Sequence, residues 1–254
     1  MLKTLVRTAL SPLDEYLRAR RLGYHGVYAT FEDAEAAVPP GQLVGYDNTE
    51  VADLYLHDFR KMRTSDYPVI YWLEKRWRQG SRVFDWGGNL GHAFYSYRDY
   101  LTCPENLTWT ICDVPEITRA AQRLAERTGE TALSFTNDPE SCEGCDVMLI
   151  SGALQYIPRS LESLLRTIRL KPQTLFINRI PLHPERSFFT LQTIGPVVCP
   201  YQVFAEQPFL TMMQSAGYAL RDRWPCEGKI LRIPFHPKNS VEAYTGFYFE
   251  RKDP

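Results

Sequence analysis

The segment that most limits the folds open to this chain is Arg82-Val83-Phe84-Asp85-Trp86-Gly87-Gly88-Asn89-Leu90-Gly91. Residues 82–85 read as a short β run. Glycines follow it, and then a helix-like stretch. Glycine lets the backbone turn tightly and approach a ligand where a Cβ would collide. A helix that starts there offers unpaired backbone amides. In open α/β sheets such strand-to-helix junctions hold ligands, in the crevice beyond the carboxyl ends of the strands.

The rest of the chain after residue 80 keeps alternating. Strands are predicted over 107–112, 132–135, 146–151 and 174–178, with helices over 115–128, 160–169 and 207–216. The run Val147-Met148-Leu149-Ile150 is apolar throughout, as a parallel strand buried on both faces requires. Residues 179–203, rich in proline and aromatics, read as irregular. Runs 218–224 and 243–249 suit two last strands with no clear helix between them, which predicts an antiparallel pair at the sheet edge. Before residue 80 the periodicity is helical: over 2–21, over 30–37 with Thr30 as cap, over 49–62 and over 68–78. Residues 23–28 read as a compact aromatic turn. Strands alternating with helices make the fold class α/β, a doubly wound and mostly parallel sheet with an N-terminal helical extension. The division falls into a helical portion or lid over 1–79 and an α/β domain over 80–254.

Composition narrows the function classes. Charged residues make up 23% of the 254, and the formal net charge is -1. No broad basic face is available for nucleic acid. No apolar run reaches the length of a membrane span, and the first ten residues are too short and polar for a signal peptide. Six cysteines without a secretory signal read as reduced thiols of a cytoplasmic protein. Cys142-x-x-Cys145 lacks a second ligand pair, so it reads as a surface loop, and no metal is expected. His57, His92 and His236 show no metal spacing either, though His92 directly follows the glycine loop.

The loop distinguishes between cofactors. A nicotinamide dinucleotide uses Gly-x-Gly-x-x-Gly, with its pyrophosphate on the helix start. Here the pattern is Gly-Gly-x-x-Gly preceded by Asp85, a carboxylate that would repel a pyrophosphate. A cationic ligand suits it better, and S-adenosylmethionine carries both an ammonium and a sulfonium. Asp113 ends the next strand, where a carboxylate accepts both hydroxyls of a ribose. It serves equally well as a helix cap before Pro115.

VFDWGGNLG followed by ICDVPEI resembles the class I S-adenosylmethionine-dependent methyltransferases, with their Rossmann-like sheet. The chain is most similar to a little-characterised methyltransferase family often associated with bacterial surface-polysaccharide gene clusters. That resemblance runs through GYHGVYATFEDA, DVMLISGALQYI, VCPYQVFAEQPFL and TGFYFER. It implies that Asp85, Gly87, Gly88, Asn89 and Gly91 form the cofactor loop. It places Asp113 on the ribose and Val114, Phe135 and Thr136 around the adenine, whose amino group Asn137 or Asp138 would receive. Ser151 and Gly152 would lie near the methionine part. Leu154-Gln155-Tyr156 departs from the common Leu-His-His form of that turn.

Methyl transfer requires alignment of nucleophile, methyl and sulfur, and a hydroxyl acceptor also needs a base. His183 is the leading candidate, in a loop expected to open at the ligand edge. His25, between Tyr24 and Tyr28, is a second candidate. Arg179 and Arg186 suit an acidic or phosphorylated acceptor. Tyr201, Gln202 and Phe204 are candidates for a further wall. The expected reaction is O-methylation of a sugar, glycan or other small polar metabolite. A nicotinamide-dependent oxidoreductase or epimerase, and a methyltransferase fold that binds cofactor without transfer, stay open beside it. So does a homodimer.

Overall fold

The computed structural model describes residues 23–56, 59–78 and 81–252. The helix expected over 2–21 and His57 lie outside them.

Among the described residues twelve strands fall in chain order: β1 (Gly23–Tyr28), β2 (Leu43–Val44), β3 (Arg82–Trp86), β4 (Thr108–Cys112), β5 (Leu133–Thr136) and β6 (Val147–Ser151), then β7 (Thr174–Ile180), β8 (Leu182–His183), β9 (Phe188–Ile194), β10 (Val197–Ala205), β11 (Tyr218–Cys226) and β12 (Tyr244–Arg251). The main sheet has seven of them, in the order β11-β12-β7-β6-β3-β4-β5. β3 pairs in parallel with β4 and β6, β4 with β5, and β6 with β7. β12 runs antiparallel to both neighbours. The expected antiparallel pair is therefore present, with β12 inserted one place inside the edge. The strand order reverses between β3 and β6, and a ligand crevice opens at such a switch point.

Period-two alternation splits the core between the two faces. Val83, Trp109, Leu149 and Phe176 join one apolar cluster; Phe84, Cys112, Met148, Ile150 and Ile177 join the other. Each of these side chains is buried, and full burial of one such aliphatic or aromatic group contributes about 1.5–3 kcal/mol. Helix Pro115–Thr128 starts on a proline and ends at Gly129, whose φ of 71° gives the left-handed cap. Its face Ile117, Ala121 and Leu124 packs on the first cluster. Ser160 caps helix Leu161–Thr167 by accepting from the Ser163 amide at 3.1 Å.

Three expectations need correction. Residues 179–203 are not irregular: β9 and β10 form an antiparallel hairpin. Most of β10 is buried, including Val197, Val198, Cys199 and Tyr201, so no alternation marks it as a strand. Residues 23–28 are not a turn: β1 pairs antiparallel with β9, and β2 pairs parallel with β10. The portion before residue 79 thus supplies two strands to a second sheet, β1-β9-β10-β2, with β8 also on β10. Its α-helices among the described residues are Phe31–Ala36, Thr49–Tyr55 and Tyr67–Arg76. Cys142 and Cys145 are also not in a surface loop; both are buried in the second cluster, and burial pushes the Cys142 thiol up to about 12.

Candidate functional site

A cavity of about 660 Å³ opens where β3, β4, β6 and β7 end. Its floor is the glycine loop. Its opposite wall comes from the second sheet and from residues 44–66.

Asp85 is 1% exposed yet lines the cavity. Trp109 Nε1 donates to its Oδ2 at 3.2 Å. Burial outweighs that bond and, with the Asp113 charge added, pushes the carboxyl up to about 7. The loop folds back over this carboxyl. A Cβ on Gly88 would stand 2.7 Å from Asp85 Cγ, and one on Gly87 (φ 72°) would stand 2.2 Å from Ala153 Cβ. Asn89, at φ 53°, donates its amide to Asp113 Oδ2 at 2.9 Å, and Val114 donates to Oδ1 at 2.8 Å. Burial still raises Asp113 to about 6. Asp47 and Asn137 complete this end, and Asn137 Nδ2 donates to Asp113 O at 2.7 Å.

Of the residues expected around a cofactor, Asp85, Gly87, Gly88 and Asn89 line the cavity, as do Asp113, Val114, Ser151 and Gly152. Gly91 does not; it turns the chain at φ 89°, and a Cβ there would meet Ile111 Cδ1 at 3.0 Å. Phe135 and Thr136 do not either. Phe135 packs against the core, and Thr136 Oγ1 is engaged by Ser141 and the Asp138 amide, so Asn137 takes the place at the wall.

The acid–base expectation changes more. His183 is buried on β8, outside the cavity lining. Its Nε2 meets Lys238 O at 2.9 Å, and its Nδ1 accepts from the amides of Glu185 and Arg186 at 3.1 and 3.3 Å. Both ring nitrogens tie loops together, which leaves neither for a substrate proton. His25 is buried within the second sheet, also off the lining, and Arg186 pairs with Glu185. Tyr201, Gln202 and Phe204 lie on β10 but do not reach the lining, where Cys199 and Pro200 stand instead. The imidazole that does line the cavity is His92, packed edge-on against Tyr55 at 5.6 Å.

Arg179 lines the cavity, at φ 61°. The register between β7 and β12 shifts there, between Thr245↔Ile180 and Phe247↔Ile177. Such a bulge re-aims a side chain. The guanidinium comes to lie over Gly152, where a Cβ would be 3.2 Å from Arg179 Cζ. Arg63 and Lys229 share the lining with it, and neither was singled out from the sequence. Burial, then Arg179, lowers Arg63. Burial, then Arg179, then Arg63, lowers Lys229 to about 7. Asp66 is the buried acid beside them. It accepts from the Arg63 amide at 3.0 Å, from Tyr97 at 3.2 Å and from Asn178 Nδ2 at 3.1 Å, while Trp224 Nε1 donates to Asn178 Oδ1 at 3.1 Å. Between the two ends stands a tyrosine wall. The Tyr156 ring lies 4.9 Å from Tyr46, which stacks on Tyr55 at 6.4 Å, and Tyr156 Oη donates to Gln192 Oε1 at 2.5 Å. Burial holds the Tyr46 and Tyr156 hydroxyls well above their usual range, so they stay neutral.

Solved structures with the same architecture are methyltransferases. The 1,6-didemethyltoxoflavin-N1-methyltransferase of Burkholderia thailandensis, holding 1,6-didemethyltoxoflavin and S-adenosylhomocysteine, superposes with a TM-score of 0.54. It is 16% identical, over 91% of this chain and 100% of that one. The methyltransferase fold is the fold of this chain. Magnesium protoporphyrin IX methyltransferase of Synechocystis PCC 6803, with bound S-adenosylmethionine, shares it at TM-score 0.55 and 11% identity, over 82% of this chain and 93% of that one. The CcbJ methyltransferase of Streptomyces caelestis does so at 0.54 and 12%, over 82% and 98%. No protein-family model matches the sequence, and no curated protein matches it. The likeness to these methyltransferases is therefore one of fold.

Proposed function

We propose that this protein transfers a methyl group from S-adenosylmethionine to the hydroxyl of a small polar acceptor. The observation that carries the reading is a pair of carboxylates, the buried Asp85 and the half-buried Asp113, bracketing a glycine loop too tight for any Cβ at Gly88. The donor set fits the cofactor. Asp85 presents a carboxylate to an ammonium. Asp113 has taken one amide on each oxygen and retains lone pairs for two ribose hydroxyls. Val114 and Asn137 would flank the adenine. Two acids at this end, with Asp47 beside them, oppose a pyrophosphate and disfavour the nicotinamide alternative.

When bound, the cofactor would supply a methyl carbon activated by its attachment to a cationic sulfur. This chain's residues position the acceptor and exclude water. Tyr46, Tyr55 and Arg63 come from the portion before residue 79, which supports its role as a lid over the cavity. His92, the imidazole in the cavity lining, would take the acceptor's proton. No helix among the described residues is long and apolar enough to cross a membrane; a cytoplasmic site of action is part of the proposal.

Calorimetric titration with S-adenosylhomocysteine tests the reading. We expect binding that Asp113→Ala weakens about 30-fold or more, since each charge-assisted hydrogen bond is worth roughly 1.5–3 kcal/mol. Absence of binding to the unsubstituted protein, or undiminished binding by the variant, overturns it.

A further inference from the structure

Resting on the methyltransferase reading, we infer that the acceptor is an acid, whose carboxylate or phosphate ester is held between Arg179 and Lys229 while its body lies against Tyr46, Tyr55 and Tyr156.

Three separate parts of the chain send a cation to one end of the cavity. Arg63 precedes the short turn Thr64–Asp66, Arg179 ends β7, and Lys229 lies in the connection between β11 and β12. They repel one another. Arg179 is the largest charge acting on both Arg63 and Lys229, after burial itself. Folding alone would not gather such groups without a counter-charge. Asp66 is a buried acid whose charge acts on Arg63 and which accepts from the Arg63 amide, Tyr97 and Asn178, so one carboxylate stands against three cations. Among the described residues none of the three forms an ion pair, whereas the surface arginines Arg76, Arg98, Arg166 and Arg223 each meet a glutamate. Lys229 Nζ instead lies over the Tyr244 ring at 5.0 Å.

The backbone at Arg179 points the same way. A left-handed φ at a non-glycine residue is unfavourable, and such strain persists at sites where it aims a group. The bulge directs this guanidinium over Gly152, at the ligand edge of β6. The methyl donor carries a single carboxylate, which one guanidinium satisfies in a bidentate pair. Arg179, over Gly152, and Lys229, against the Tyr244 ring, line the same cavity and stand open to a second anion. The tyrosine wall beside them offers flat apolar faces, with the Tyr156 hydroxyl fixed on Gln192.

The test is calorimetry on the full chain with phenyl phosphate, benzoate and neutral benzamide, at one ionic strength, with and without saturating S-adenosylhomocysteine. We expect at least one of the two anions to bind about tenfold or more tighter than benzamide. The tighter of the two identifies phosphate or carboxylate as the group. Arg179→Gln and Lys229→Gln should each weaken that anion about tenfold, with S-adenosylhomocysteine affinity within about threefold of the unsubstituted protein, which also shows that the variants are folded. Equal binding of benzamide, or anion binding that neither substitution changes, overturns the inference. So does a parallel loss of S-adenosylhomocysteine and anion in both variants, because the cations would then serve the cofactor's carboxylate. Absence of S-adenosylhomocysteine binding, together with Arg179-dependent anion binding, overturns the methyltransferase reading and leaves the anion subsite standing.

Discussion

The two ends of the cavity carry opposite charge and are built in opposite ways. At one end Asp85 and Asp113 sit at the tips of adjacent parallel strands, and the Asn89 amide of the glycine loop donates to Asp113. At the other, Arg63, Arg179 and Lys229 converge from segments far apart in the chain. Burial moves both sets toward neutrality: the acids rise to about 7 and about 6, and Lys229 falls to about 7. Each end is thus charged at a cost that an oppositely charged ligand relieves. The contrast teaches that a local junction can build the acidic end of a cavity, whereas the basic end needs the whole tertiary fold.

The harshest way to break the comparison is Gly88→Ala. Its Cβ would stand 2.7 Å from the Asp85 carboxyl carbon, so the loop or the acid must move. We expect S-adenosylhomocysteine binding to be abolished, with about 1–3 kcal/mol of stability lost to overpacking. A thermal melt and a titration check both.

Next comes pH. A cationic ligand requires ionised Asp85, whose carboxyl titrates near 7. Cofactor affinity should therefore rise about tenfold between pH 6 and 8. An anion beside Lys229 should show the reverse slope, weakening as pH rises through about 7. Arg179, Arg63, Cys226 and the Tyr244 ring are the groups facing that lysine. The ligand-free protein carries matching signatures. Asp85, raised above its unfolded value, contributes stability that is full below about 4 and is lost as pH rises through about 7. Lys229, lowered, contributes stability that is full above about 10.5 and is lost as pH falls toward about 7. Parallel pH slopes for cofactor and anion would erase the distinction between the ends.

The smallest effect is expected from His183→Gln. Its ring joins Lys238 O to the Glu185 and Arg186 amides, so loss should lower stability by about 1 kcal/mol, roughly 2–4 °C in melting temperature. Cofactor affinity and turnover should stay unchanged. A large fall in turnover with cofactor affinity intact would return His183 to the chemistry.

The sheet was legible in the sequence because its strands are apolar runs between helices of regular period. Helix Pro115–Thr128 matches its predicted bounds, since Pro115 and Gly129 mark both ends by backbone geometry. The second sheet was hidden. Tyr24 and Val27 belong to a strand whose partner is β9, and no local pattern announces a pairing across that separation. The same holds for the site. Asp85 and Asp113 were visible because strand, glycine turn and strand follow in order. Arg63 and Lys229 lie in connecting segments, and only tertiary structure puts them beside Arg179. His183 misled because its loop position suggested access, while the loop is closed by its own amides.

The pairing of β1 with β9 also has a temporal side. Thr190 Oγ1 donates to the carbonyl of His25, 165 residues earlier in the chain, at 3.1 Å. At about 5–20 residues per second of synthesis, the emerging β1 waits roughly ten to thirty seconds for its partner. During that interval an edge of a future sheet stands open beside a growing polypeptide, so this chain should depend on chaperone protection of its first segment more than on help for the glycine-loop half, whose strands arrive next to one another.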